Sequence, residues 1–295
     1  LEDFNQILYP LNAHNHKLFE NLIRIGIKHS QTNGVFTSSL SIENIPSVFI
    51  SNERNGSESD KLSIEDILGN NGLLKNSWDW FEPRDCQLAF AQKSFDSFIN
   101  KEILVAEAGT GLGKSFSYLS AGLIYSNSTE IPVVVSTHTK HLQEQLFHKD
   151  IPAFAAKTGI PLKAVILKGR RNYLCKTRFK QFLKSNKTRF SKFEQEMILP
   201  LLAWSKKTKS GDIEECPGFP INGASRIWKL VRSEPGYCTT QRCRSEDGCY
   251  YGKLRKQVNE TNLLIVNHAL LINEVLRENS ILPPEFILVI DEAHN

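Results

Sequence analysis

The stretch AEAGTGLGKS, residues 106–115, places Gly109, Gly111 and Gly113 ahead of Lys114 and Ser115. Glycines at this spacing let backbone N–H groups approach phosphate oxygens closely. A lysine there reaches the β- and γ-phosphates, and a hydroxyl next to it takes Mg2+. The usual form of this cradle, Gly-x-x-x-x-Gly-Lys-Ser, has glycine where Ala108 stands. Alanine costs little at that point if its φ is negative. Far downstream, FILVIDEAHN ends an apolar run on Asp291 and Glu292. Asp291 is suited to hold Mg2+ through water, and Glu292 to orient or deprotonate an attacking water.

A second group of candidates is soft. Of six cysteines, Cys238, Cys243 and Cys249 form C-x4-C-x5-C, and Cys175 lies 63 residues before the first of them. Four thiolates gathered by one fold suit either Zn2+ or an iron–sulfur cluster, and spacing alone leaves both open. A disulfide framework fits less well than either, given that a cytosolic nucleotide-driven protein works in a reducing compartment. Ten Lys or Arg and no acid fall between Lys168 and Lys192, so with a chain total of +4 the remainder sums to −6. Tyr173, Phe179, Phe182 and Phe190 interleave with this block. Charge with rings between suits single-stranded nucleic acid; a solvated helix face is the plainer alternative.

These groups need elements to hold them. Apolar β-type runs at 103–107, 133–137, 164–167, 263–266 and 286–290 alternate with helix-like stretches. That pattern implies a parallel sheet covered on both faces, with ligand-binding loops at the strand carboxyl ends. The run ILVAE leads into the glycines and KSFSYLSAGLIY continues as a helix, so the cradle is expected at a strand-to-helix turn. Before residue 81, Leu18, Leu22, Ile25 and Ile27 mark an amphipathic helix, and SNERNGSESD (51–60) reads as a flexible link. With 40% hydrophobic and 23% charged residues the chain is neither disordered nor, lacking a long apolar run, membrane-spanning. A start at Leu1 and an end at Asn295 read as a piece cut at both ends.

Over about residues 80–295 the chain resembles the superfamily 2 DNA helicases of the DinG group, which are related to the XPD helicase. In that family the first cradle glycine is typically alanine, so Ala108 is expected. The resemblance implies nucleotide contacts from Ala108, Gly109, Thr110, Gly111, Gly113, Lys114 and Ser115. FEPRDCQ (81–87) resembles the motif whose glutamine, here Gln87, contacts adenine, with Arg84 nearby. VVVSTHTKHLQEQL (133–146) is similar to the motif whose Ser-Thr loop touches the tracked strand. LKGRRNYLC (167–175) and LLIVNHALL (263–271) are also similar to family signatures. Asp85, Leu112 and Arg171 depart from the family's usual Pro, Thr and Ser. For the cysteines, the resemblance implies a [4Fe-4S] cluster on Cys175, Cys238, Cys243 and Cys249, leaving Cys86 and Cys216 as ordinary thiols.

The implied fold is α/β: a RecA-like P-loop NTPase domain with a parallel sheet, interrupted by a mostly helical iron–sulfur domain. The expected boundaries are a connector at 1–80, an incomplete first motor domain at 81–160 and 255–295, and the insertion at 161–254. The implied activity is an ATP- and Mg2+-dependent helicase moving 5′ to 3′ on single-stranded DNA and unwinding forks or R-loops in repair and replication. It is expected to be monomeric and cytoplasmic, with a second RecA-like domain in the same chain. Rival readings are a P-loop kinase or switch with structural zinc, and a passive nucleic-acid binder with a vestigial cradle.

Overall fold

The computed structural model describes residues 47–51, 62–78, 81–109, 111–184, 190–216, 218–219, 225–237, 249–277 and 280–294. Its described residues fall into two compact units: Ser47–Lys168 with Arg255–Asn295, and Gly169–Leu254. Along the chain, β1 (Val48–Ile50) is followed by α1 (Ile64–Leu68) and α2 (Leu73–Ser77). The first turn of α1 is closed reciprocally by Ser63 and Asp66, which satisfies N–H groups that would otherwise be orphaned. Next come α3 (Asp85–Asn100), α4 (Lys114–Thr129) and β2 (Val133–Thr137). Helix α5 (Lys140–Gln145) continues through a π-turn at Leu146–Asp150 into α6 (Ile151–Thr158), before β3 (Lys163–Ile166). The second unit holds α7 (Lys176–Lys184), α8 (Lys192–Lys207), α9 (Ser225–Val231) and the first residues of α10 (Tyr250–Val258). The chain then returns to the first unit with β4 (Leu263–Asn267), α11 (His268–Val275) and β5 (Ile287–Ile290).

The strands form one sheet in the order β1-β3-β4-β2-β5. The pairs β3–β4, β4–β2 and β2–β5 are parallel, and β1 adds an antiparallel edge with Val48 opposite Val165. Val133 is in register with both Leu263 and Ile287, so the carboxyl ends of β2, β4 and β5 align. Strand β2 is buried throughout, as its unbroken apolar and small residues require. Helix α4 lies close against it: a Cβ on Gly122 would sit 3.1 Å from a Val133 methyl. Ile67, Leu74, Leu119, Leu123, Phe147 and Phe154 complete this core together with Val135 and Ile265.

Four of the five expected strands are present. The fifth, 103–107, is not a strand: the chain there makes no ladder, and Ile103 and Val105 are 95% and 92% exposed. An apolar run becomes a strand only where a neighbouring edge accepts its N–H and C=O groups. Among the described residues β5 pairs with β2 alone, and the 102–106 segment instead flanks a cleft of about 680 Å3 bordered by Phe98, Tyr125 and Leu288. Conversely, β1 was not foreseen in the segment before the link.

The second unit is helical, with its own core of Leu174, Phe179, Ile198, Trp204, Ile227 and Trp228. Its entry segment is clamped on both sides: Leu174 N–H donates to the Gly211 carbonyl at 2.8 Å and Cys175 N–H to the Val231 carbonyl at 2.9 Å.

Candidate nucleotide and thiolate sites

The glycine loop runs straight into α4. Gly111 and Gly113 stand at φ 79° and 83°, where a side chain would be strained. Ala108 is not among the non-glycine residues at positive φ, so the missing glycine carries no conformational cost. Thr110 lies outside the described residues. Nothing comes within 4 Å of a Cβ built on Gly109 or Gly111, which leaves room for a ligand against their backbone. Gly113 is different: a Cβ there would meet the Gln87 amide at 2.3 Å.

At the first turn of α4, Lys114 Nζ lies 2.8 Å from Glu292 Oε1, bridging 178 residues of sequence. The bond raises the Lys114 ammonium and holds the Glu292 carboxylate below its ordinary value. His294 Nε2 is 3.6 Å from the other Glu292 oxygen, and His138 contributes to the same stabilisation of charge. Glu292 itself has φ 58°, a left-handed conformation rare for a side chain of this kind. Such strain concentrates where a side chain must be aimed.

Asp291 extends the sheet ladder, its N–H donating to the Ser136 carbonyl at 2.9 Å. Burial pushes its carboxyl up, partly opposed by the Lys114 charge. Tyr118, buried one turn into α4, donates its hydroxyl to Asp291 Oδ2 at 3.3 Å, and, against the upward push of burial, the nearby Ser115 hydroxyl acts on the phenol by lowering its pKa. Ser115 and Asp291, the expected Mg2+ pair, are therefore gathered around one phenol. Burial in particular drives that phenol's pKa upward, so it stays a donor. Tyr118 escaped the sequence reading, although three residues after Ser115 on a helix puts it on the same face.

Arg84 and Gln87 are adjacent to the cradle but engaged with it. Arg84 Nη1 donates to the Gly111 carbonyl at 2.7 Å, and Gln87 Nε2 to the Gly113 carbonyl at 3.3 Å. Both groups thus brace the loop. Beside them, Ser136 and Thr137 are buried at the end of β2, whereas His138, Thr139 and Lys140 after them are exposed. Ser136 Oγ shares a 2.7 Å hydrogen bond with His268 Nδ1, a residue sequence reasoning left without a role.

Among the four expected cluster ligands, Cys175 is buried and Cys249 partly buried, while Cys238 and Cys243 lie outside the described residues. The chain neighbours of the two described cysteines meet: Lys176 Nζ stands 4.7 Å from the centre of the Tyr250 ring, and the Tyr173 and Tyr251 rings are 5.6 Å apart. Cys216 is buried, its thiol pushed by burial up to about 12, while Cys86 is exposed. Burial at that level fits an inert structural thiol.

The basic block is reassigned in part. Tyr173, Phe179 and Phe182 are buried in the core rather than offered to bases, with Phe182 and Phe190 rings 5.4 Å apart. Their helical spacing turns them inward while the lysines between them face out. Lys168 is buried against Glu144. Arg178 donates to the Lys229 and Arg232 carbonyls at the end of α9, both at 2.8 Å. Lys180 and Lys184 remain exposed on α7.

A mostly parallel sheet, a glycine loop feeding a helix and an acidic pair at the rim of a neighbouring strand define the RecA-like class of P-loop folds. The chain belongs to the DEAD_2 family, whose model matches residues 136–295, just over half of it. It is 33% identical over 235 residues to the ATP-dependent DNA helicase YoaA of Haemophilus influenzae, covering 78% of this chain and 36% of that protein. It is 31% identical over 229 residues to the 3'-5' exonuclease DinG of Bacillus subtilis, covering 77% and 24%. With the ATP-dependent helicase DinG of Mycobacterium tuberculosis it shares 33% over 216 residues, covering 67% and 32%. The chain thus spans about a third or less of these curated relatives. No helix among the described residues is long and apolar enough to cross a membrane.

Proposed function

We propose that the chain is the ATP-binding portion of a DinG/XPD-type DNA helicase, coupling ATP hydrolysis to 5′-to-3′ movement on single-stranded DNA and to opening of forks or R-loops in repair and replication. The observation that carries this is the 2.8 Å contact of Lys114 with Glu292 at the rim of one sheet. Without nucleotide the two neutralise each other. A triphosphate would draw Lys114 to its β- and γ-oxygens and free Glu292 to take a proton from water. Ser115 and Asp291, already gathered by Tyr118, fit Mg2+, which supplies charge neutralisation for the phosphates. Ala108, Gly109, Thr110, Gly111 and Gly113 line the cradle, braced by Arg84 and Gln87.

In this reading the motor takes in residues 47–168 and 255–295 and the insertion residues 169–254, because α1, α2 and β3 pack in the sheet unit rather than in a connector at 1–80 or an insertion at 161–254. Cys175 and Cys249, with Cys238 and Cys243, would hold a [4Fe-4S] cluster; converging flanks and a soft donor set fit that group. A cluster there supplies a covalent staple for a small helical unit. A second RecA-like domain in the same chain would supply the remaining charge stabilisation for hydrolysis. The working protein is monomeric and cytoplasmic in this reading. The test is DNA-stimulated ATPase of the full-length chain. Changing Lys114→Ala or Glu292→Gln should abolish it, and a retained rate in either variant would refute the assignment.

A further inference from the structure

The Ser136–His268 contact joins two adjacent parallel strands just where each ends. Thr137 pairs with Asn267 in the β2–β4 register, and Asn267 caps α11 by accepting the Leu270 N–H at 2.8 Å. His268, the first residue of α11, reaches back across the register to Ser136. Its ring also lies parallel to His138, with centres 6.0 Å apart and planes 12° apart. The opposite ring nitrogen, Nε2, is buried and has no hydrogen-bond partner among the described residues. An imidazole used at one nitrogen and left unsatisfied at the other is an expensive way to fill space.

The positions it joins border the acidic strand end on one side and, on the other, the turn within 133–146, the stretch whose resemblance implies contact with the tracked strand. Ser136 accepts the Asp291 N–H through its carbonyl, so the same residue touches the acidic strand end and His268. His138, on the far side of the ring, begins the exposed turn His138–Lys140.

We propose that His268 is a positioning residue: its Nδ1 bond to Ser136 fixes the end of β2, so that nucleic acid at the exposed turn after it is felt at Asp291 and Glu292. This rests on the motor reading above. Coupling of this kind is a free-energy difference between two sites, with typical sizes of about five- to 150-fold.

The test uses the full-length chain and two variants that separate ring from bond. His268→Phe keeps a ring against His138 and loses the bond; His268→Asn places an amide at the Nδ1 position and keeps the bond. Steady-state ATPase is measured with and without single-stranded DNA, alongside melting temperature. The expected result is that H268F loses roughly fivefold or more of its DNA stimulation. Its unstimulated rate stays at wild type and its melting temperature falls by no more than an unpaired Ser136 hydroxyl costs, while H268N keeps most of the stimulation. H268F stimulated like wild type, H268N no better than H268F, or stimulated and unstimulated rates falling together would each overturn the proposal. A wild-type ATPase indifferent to DNA would sink the motor reading itself, and this inference with it.

Discussion

The two units use their polar residues differently. In the sheet unit, polar groups distant in sequence meet each other: Lys114 with Glu292 across 178 positions, and Tyr118 with Asp291 across 173. In the helical unit they mostly hold the chain: Arg178 grips carbonyls, Glu215 accepts from the Thr208 and Ser210 hydroxyls, and Arg171 pairs with Glu234. A parallel sheet aligns every carboxyl end on one rim, so it makes sites by topology. A small helical unit has no such rim, so in the proposed reading its chemistry falls to its cysteines.

The contrast can be broken from the sheet side first. Glu292→Gln should lower full-length ATPase by about 100-fold or more while leaving nucleotide binding and the melting temperature unchanged, since the residue acts rather than packs. On the helical side, Cys175→Ser should abolish visible charge-transfer absorbance and lower the melting temperature, with nucleotide binding retained. A variant still coloured, or one that no longer binds nucleotide, would erase the distinction between the units.

A smaller effect probes a structural ion pair inside the sheet unit. Burial pushes Glu144 up, but the hydrogen bond from His148 and the charge of Lys168 outweigh it and hold the carboxylate at about 2, below its ordinary 4.5. Its folded value lies below its unfolded one. Its stabilising contribution is therefore complete above pH ~4.5 and disappears as pH falls toward ~2. Glu144→Gln should flatten stability against pH across that window and cost about 3 kcal/mol at neutral pH, because Lys168 is buried. Chemical denaturation at several pH values measures both. Smallest of all, Lys180→Ala with Lys184→Ala should reduce the slope of log affinity for single-stranded DNA against log salt by about 0.7 per lost phosphate contact. Arg178→Ala should instead lower stability, which a melt distinguishes.

What the amino-acid order disclosed follows the same division. Apolar runs at 133–137 and 263–266 announce buried parallel strands, and the run at 286–290 announces a parallel strand that is half exposed rather than buried, since β5 has β2 as its one neighbour among the described residues; acids just past such runs lie at the rim. Within the cradle, the glycines at 111 and 113 could be read because their backbone stands at positive φ. The run at 103–107 misled because apolarity says nothing about whether a partner edge exists. Strand β1 was hidden because three residues on an edge carry too little pattern. Phe179 and Phe182 read with the basic block as stacking rings, against a solvated helix face, and packing puts them in the core instead. His268 and Tyr118 gave no signal by type; their roles arise from which neighbours the register brings to them.

The left-handed backbone at Glu292 has an evolutionary corollary. A side chain such as glutamate carries a torsional burden there, of order 1 kcal/mol, that glycine escapes. A laboratory selection for heat tolerance alone would drift toward glycine at position 292 and discard the carboxylate. Durability and turnover pull one codon in opposite directions.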